Sequence, residues 1–250
     1  MVMELASGGE LYDRLTMKEG MLGDQEVRGL VREVAAAVAH LHDRGIVHFD
    51  IKPENILLGQ PGSATLCETT ELGEEGKGGK SGLVDDETVC DEIVCEGVVS
   101  ESSLGDGEGE ECSCLGVVRR PSVGKVLLTD FGSSFRMNGN SGRQAQKDYT
   151  AAYSAPEVIS SGVVDQKADV WSLGVIAYIM VKGTHPFDPT SQAGREEIEA
   201  NVKQAKPDWE GVEPRAAALL CRMLALNPAD RPTAREVLNS PWLQHVRQGE

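Results

Sequence analysis

The chain reads His48-Phe-Asp-Ile-Lys-Pro-Glu-Asn55 at its most informative point, where several polar residues stand together. Before this stretch, apolar residues recur at three- and four-residue steps from about residue 25 to residue 44. This spacing predicts one long helix, with Asp24 as its N-cap and Gly45 as its end. We therefore expect the polar stretch to lie in the loop that follows a buried helix.

Two short apolar runs, Ile56–Leu58 and Val126–Leu128, predict the arms of a β-hairpin. Residues 59–124 separate them and hold 15 acidic and 4 basic residues, 13 of the chain's 28 glycines and no aromatic residue. Such a segment buries too little apolar surface to offset its ordering entropy, so we predict a disordered insertion at the hairpin tip. A long tip is tolerable because the entropy of loop closure grows only slowly with length.

The predicted domain plan is one fold interrupted by this insertion. Residues 1–58 and 125–246 form the fold, residues 59–124 the insertion, and residues 247–250 a tail. Residues 169–181 are apolar nearly all round, which predicts a buried helix. Further helices are expected at about residues 10–16, 194–204, 214–226 and 233–239. Residues 1–5 are read as the end of a strand, and residues 133–155 are expected to be loop-like.

Charge and cysteine content limit the possible function classes. The chain carries 24 Lys and Arg against 40 Asp and Glu, a net charge of −16, which disfavours a nucleic-acid or anionic-membrane partner. No signal peptide is recognisable, so a cytoplasmic or nuclear protein is expected. Five of the six cysteines fall in residues 59–124, at spacings that fit zinc poorly. Both a metal or redox role and free thiols in a reducing compartment stay open. The insertion itself could be a solvated spacer, a regulatory tail, a docking segment or an unspliced intron read as protein.

Four further motifs follow the first in order: Asp130-Phe-Gly132, Ala155-Pro-Glu157, Asp169-Val-Trp-Ser-Leu-Gly174 and Asn227-Pro-Ala-Asp-Arg-Pro-Thr233. Together with residues 48–55 they resemble the protein kinases, and the resemblance covers nearly all of the chain outside the insertion. It implies an α+β kinase fold, with a mainly helical C-terminal lobe and a short hairpin. Lys52 and the phrase at residues 8–15 resemble the calcium/calmodulin-dependent group of Ser/Thr kinases.

The resemblance implies ATP and Mg²⁺ as cofactors and gives each residue of the site a role. Asp50 would orient a substrate Ser or Thr hydroxyl and accept its proton, and Lys52 would neutralise charge on the transferring phosphate. Asn55 and Asp130 would hold Mg²⁺, which prefers oxygen ligands. Thr150 would bridge to Asp50 and Lys52, as in Ser/Thr-type sites.

The same resemblance places the nucleotide. Met3 would lie behind adenine, the backbones of Glu4 and Ala6 would bond it, Glu10 would meet the ribose, and Leu57 would form the floor under the base. Protein substrates bearing Ser or Thr are implied. A basic context around the target residue would suit Glu10, Glu54 and the negative charge of the chain. The oligomeric state stays open.

Several residues of these motifs are read as structural. Glu157 and Arg231 are expected to form an ion pair, and His48 to pack against Phe131. Tyr153 and Trp171 are expected to be packing residues.

The chain also departs from the family pattern. It contains no G-x-G-x-x-G sequence and no V-A-I-K lysine, so the family's N-terminal lobe is expected to be missing, and residues 1–250 alone to be inactive. A missing upstream part of the gene would explain this, and mapping the transcript start tests it. Phe49 replaces the arginine that in the family grips a phosphate on the activation loop, and Tyr149 replaces a glycine before Thr150. Two functions therefore stay open, a Ser/Thr kinase and a pseudokinase that serves as an interaction module.

Overall fold

The computed structural model describes residues 6–17, 22–59, 125–137, 142–144, 149–160 and 162–244. All of them belong to one unit formed by residues 1–62 and 121–250. The predicted strand end at residues 1–5, nearly all of the predicted insertion and the predicted tail lie outside the described residues.

Helices are the main regular secondary structure of the described fold. They are α1 (Leu11–Met17), α2 (Asp24–Asp43), α3 (Pro156–Ile159), α4 (Gln166–Lys182), α5 (Arg195–Gln204), α6 (Pro214–Met223), α7 (Ala234–Leu238) and α8 (Pro241–Gln244). Every helix predicted from the sequence is present, while the short helices α3 and α8 had not been predicted. With three antiparallel strand pairs beside the helices, the predicted α+β class is confirmed.

Helix α2 follows the predicted apolar stripe, because its buried side chains recur along one face. Gly45 ends the helix in the left-handed conformation, with φ of 68°, which glycine adopts without strain. The prediction that Asp24 is the N-cap is wrong. Gly23 occupies that position with extended dihedrals and no side-chain cap, and Asp24 is the first helical residue. Its carboxylate lies there in the first turn, where the helix dipole favours an acid.

Helix α4 runs through the middle of the fold and is buried along most of its length. It begins earlier than predicted because the Asp165 side chain accepts a hydrogen bond from the Lys167 N–H and so caps the helix. Gly183 closes it with φ of 79°. By contrast, α6 ends at Met223 rather than at residue 226.

The strands are short and lie around the polar loop. They are β1 (Ile46–Val47), β2 (Ile56–Leu58), β3 (Val126–Leu128), β4 (Phe135–Arg136), β5 (Arg143–Gln144) and β6 (Val163–Val164). The predicted hairpin is confirmed as the antiparallel pair β2–β3, with Ile56 opposite Leu128. Strand β1 pairs with β4, and β5 pairs with β6. The stretch predicted as a loop from residue 133 to residue 155 therefore contains two paired strands.

The core consists of two clusters that share helix α4. One packs α2 and α4 against α6, α7, α8 and the hairpin. The other surrounds Trp171, whose ring stacks on Phe187 with centroids 5.5 Å apart and planes 9° apart. Both clusters contact the polar loop after β1, the first through Ile51 and the second through Phe49.

Candidate active site

The Asp50 carboxylate is the centre of a small polar network. Its Oδ2 accepts hydrogen bonds from Lys52 Nζ at 2.6 Å and from Asn55 Nδ2 at 3.1 Å. Its Oδ1 accepts one from Thr150 Oγ1 at 3.2 Å, across 100 positions of sequence. Of the four residues predicted to carry the chemistry, Lys52, Asn55 and Thr150 thus all donate hydrogen bonds to the fourth, Asp50. The predicted contact of Thr150 with Asp50 is present, and its contact with Lys52 stays a prediction.

The hairpin brings the two predicted metal ligands to one edge. Asn55 ends the short turn before β2, and its carbonyl oxygen accepts a hydrogen bond from the Thr129 N–H at 3.0 Å. Asp130 is the next residue after Thr129 and is exposed. Its backbone is left-handed, with φ of 59°, and its Oδ1 accepts a hydrogen bond from the Gly132 N–H.

The donor atoms at this edge fit a hard cation. The amide nitrogen of Asn55 is engaged by the Asp50 carbonyl and carboxylate, which leaves its oxygen for a ligand. Asp130 adds a carboxylate, and Mg²⁺ takes few protein ligands because it keeps waters and substrate phosphates. Within the described ranges, no cluster of three or more His, Cys, Asp or Glu side chains able to hold a metal occurs.

Asp169 positions the loop that carries Asp50, a role that no sequence motif above had predicted. This buried carboxylate, on α4, accepts hydrogen bonds from the backbone N–H groups of His48 at 2.9 Å and Phe49 at 2.8 Å. His42 Nε2 lies 2.9 Å from its Oδ2. The signal in the sequence is a single acid within an otherwise apolar helix, because a buried carboxylate requires partners.

The described part of the predicted nucleotide site is brought together at β2. Glu10 forms an isolated antiparallel bridge with Leu57, and the Gly8 N–H donates to the Leu58 carbonyl at 2.8 Å. Ala6 is half-buried just before this segment. Met3 and Glu4 lie outside the described residues.

Glu54 and Tyr153 form a partly buried acidic spot near the network. No hydrogen bond from a described residue reaches the buried Oε2 atom of Glu54. Burial, and then the nearby charge of Glu54, raise the pKa of Tyr153.

The residues read as structural behave as expected. Glu157 and Arg231 form a bidentate ion pair, with N–O distances of 2.7 Å and 2.8 Å, and the Arg231 guanidinium lies 4.9 Å from the Trp171 ring centre. His48 packs on Phe131 with ring centroids 4.9 Å apart. These predictions are confirmed.

The two positions that depart from the family pattern have partners of their own. Phe49 has φ of 73° and packs edge-on against Phe135, with centroids 6.2 Å apart. The Tyr149 hydroxyl donates to Glu199 on α5 at 3.1 Å, and the guanidinium of Arg195 lies 4.7 Å from the Tyr149 ring centre. The hydrogen bond from Arg195 lowers the pKa of Glu199 below its usual range.

Comparison with known proteins identifies the family. The family model described as "Protein kinase domain" matches residues 1–69 and 119–243. The serine/threonine-protein kinase PKZ1 of Phytophthora infestans is 31% identical over 248 residues, covering 97% of this chain and 50% of that protein. Calcium/calmodulin-dependent protein kinase type 1 of Caenorhabditis elegans is 28% identical over 245 residues, 97% of this chain and 53% of that protein.

Serine/threonine-protein kinase H1 of Homo sapiens is 28% identical over 246 residues, covering 97% of this chain and 44% of that protein. The chain thus spans about half the length of the curated relatives it matches. No helix within the described ranges is long and apolar enough to cross a membrane. Since the family model matches well over half of the residues, the chain belongs to the protein kinase domain family.

Proposed function

We propose that this chain carries the catalytic residues of a Ser/Thr protein kinase, which transfers the γ-phosphoryl group of ATP to a protein Ser or Thr hydroxyl. One observation supports this most directly. The Asp50 carboxylate is held by Lys52, Asn55 and Thr150, residues drawn from two distant parts of the sequence. Catalysis of phosphoryl transfer depends mainly on such positioning and on charge stabilisation.

Each residue of the network has one task in the proposed reaction. Asp50 orients the substrate hydroxyl and takes its proton as the oxygen forms its bond to phosphorus and ADP leaves. Lys52 stabilises negative charge on the transferring group, and Thr150 fixes the carboxylate from the opposite side. Asn55 and Asp130 would hold Mg²⁺, which when bound supplies charge neutralisation to the ATP phosphates.

ATP itself would lie against the segment paired with β2. Glu10 faces Leu57 across the backbone bridge, consistent with the proposed ribose contact and the proposed floor under the base. Met3, Glu4 and Ala6 complete the proposed adenine site. Cytoplasmic or nuclear localisation is part of the same proposal.

The proposed substrates are proteins with basic residues near the target Ser or Thr. Glu54 supports this, because this half-buried acid is the neighbour of Asn55 and its carboxylate would pair with a Lys or Arg side chain. The calcium/calmodulin-dependent group is the proposed subfamily, which the relative from Caenorhabditis elegans favours.

The experiment measures phosphate transfer from ATP by the full-length gene product with Mg²⁺, to paired Ser peptides with and without flanking arginines. We expect Asp50→Asn to reduce the rate about 100-fold or more, the usual contribution of a positioned base. Asp24→Asn, the same change at an exposed helix start, is the control and is expected to keep the wild-type rate. Equal rates for wild type and Asp50→Asn would contradict the proposal.

A second candidate function is an interaction module without catalysis. The observation in its favour is that the 250 residues contain no G-x-G-x-x-G sequence to cover the phosphates. We expect residues 1–250 by themselves to transfer no phosphate. A full-length gene product that fails to bind ATP with Mg²⁺ and also transfers no phosphate would favour the module.

A further inference from the structure

The residue before Asp50 has a strained backbone. Phe49 has φ of 73°, a left-handed conformation that a bulky aromatic residue adopts only when its surroundings hold it there. One restraint is the hydrogen bond from its N–H to Asp169 Oδ1 at 2.8 Å. Because Asp50 is the next residue, whatever fixes Phe49 also fixes the direction in which the Asp50 carboxylate leaves the loop.

The second restraint is the Phe49 ring. It meets the ring of Phe135 at an interplanar angle of 64°, an edge-to-face arrangement that aromatic pairs favour. Phe135 is itself fixed, because it lies on β4 opposite Val47 of β1. Arg143 lies on β5, further along the chain, and its guanidinium is 5.6 Å from the Phe135 ring centre.

Strand β5 is in turn fixed against the body of the fold. It pairs with β6, where Arg143 lies opposite Val164, and Val164 is buried in the cluster around Trp171. The approach is so close that a Cβ atom on Gly142 would lie 2.5 Å from the Val164 carbonyl oxygen. Only glycine permits this backbone contact.

We propose that Phe49, Phe135 and Arg143 form a clamp that positions Asp50 and holds strands β4 and β5 on the fold. The clamp consists of the chain's own side chains and strand pairs, so it requires no added group such as a phosphate. Phe49 acts through the backbone of Asp50 and is a positioning residue. The effect on turnover rests on the proposed kinase function, whereas the holding of β4 and β5 does not.

The first experiment measures how well β5 is held in the 250-residue chain after phosphatase treatment. Trypsin cleaves after Arg143 only when β5 leaves β6, and after Arg32 only when α2 opens. The ratio of the two cleavage rates, followed by mass spectrometry, therefore reports local release rather than global unfolding. We expect Phe49→Leu and Phe135→Leu to raise this ratio at least fivefold, because leucine keeps apolar volume and removes the ring.

Two controls belong to this measurement. Phe135→Tyr keeps the ring and is expected to stay within twofold of wild type, and so is Leu226→Ala, which removes an exposed apolar side chain outside the clamp. An unchanged ratio in both leucine variants would overturn the proposal. A wild-type ratio that rises on phosphatase treatment would also overturn it.

The second experiment measures kcat and KM for ATP in the full-length gene product. We expect Phe49→Leu to lower kcat about tenfold and leave KM for ATP within twofold. The Phe49→Leu/Phe135→Leu double variant should be no slower than the slower single variant, since both remove one shared contact. A kcat of the double variant that falls by the product of the two single losses would contradict the clamp. An inactive wild type would instead contradict the kinase function, and the cleavage ratio would still decide the clamp.

Discussion

Replacing Glu157 by glutamine should destabilise the fold strongly, because Glu157 neutralises a fully buried guanidinium. The Arg231 side chain has no exposed surface, and both of its terminal nitrogens donate to the Glu157 carboxylate. Its remaining donors are also used, by the backbone carbonyls of Ala225, Lys167 and Leu226. Glutamine keeps the size of the side chain but offers one acceptor in place of two and adds an N–H that faces the guanidinium.

The expected loss follows from the burial of the pair. Breaking a buried ion pair on one side costs about 3–5 kcal/mol. Because the Glu157 side chain retains 12% of its exposure, we take the lower end of this range, about 3 kcal/mol. With a denaturant slope of about 3 kcal/mol per molar urea, the unfolding midpoint should fall by about 1 M.

Urea unfolding followed by tryptophan fluorescence measures this shift, since Trp171 lies directly under the guanidinium. The control is Asp43→Asn, which breaks a bidentate pair with Arg235 of the same chemistry on the surface and should leave the midpoint unchanged. The double variant Glu157→Leu/Arg231→Met should recover most of the loss, because it leaves no buried charge. A midpoint for Glu157→Gln within about 0.2 M of wild type would refute the reasoning.

Three further predictions concern pH, positioning and phosphorylation. Burial lowers the pKa of His185 below 6.5, so the unfolded chain binds the proton first. The free energy of unfolding should therefore fall as the pH drops below 6.5 towards the folded-state pKa. The variant His185→Gln should flatten this pH dependence in urea titrations. Asp169→Asn should lower kcat at least tenfold with little change in KM for ATP, because it weakens the hydrogen bonds that orient the loop before Asp50; an unchanged kcat would contradict this. Since the proposed clamp needs no phosphate, activity of the full-length gene product should stay within a few-fold when alanine replaces Ser133, Ser134 and Ser141; a loss beyond tenfold in peptide phosphorylation assays would contradict it.

The elements that could be predicted from the sequence are those with a local cause. Helix α2 follows from a 3.6-residue apolar period, and its end at Gly45 from the conformational freedom of glycine. The hairpin β2–β3 followed from two apolar runs, although 67 residues separate Leu58 from Val126. Each of these features depends on residues that are neighbours in sequence, or on two segments that carry the same run of apolar residues.

The strand pairs β1–β4 and β5–β6 could not be predicted in the same way. Each has only two residues per strand, which is too short for an alternating pattern to stand out from a loop. Their stability comes from what they pack on, such as Val164 in the cluster around Trp171. Tertiary context therefore decides these elements, and the sequence of residues 133–155 alone predicts a loop.

The residues of the candidate site also fall into those with a local signal in the sequence and those without one. The resemblance of residues 48–55 to a protein kinase motif was enough to predict that Asp50, Lys52 and Asn55 share a site, since they lie within six residues of one another. The residues that position this site could not be found in the same way. Asp169 and Phe135 both contact Phe49, but they lie 120 and 86 positions from it in sequence. A carboxylate buried in α4 is stable only if donors reach it, and the two N–H groups that do so belong to the residues just before Asp50. The solvation requirement of one buried acid thus couples the core of the fold to the direction of the proposed base. Substitutions in the first turn of α4, where Asp169 lies, should for this reason alter turnover as well as stability.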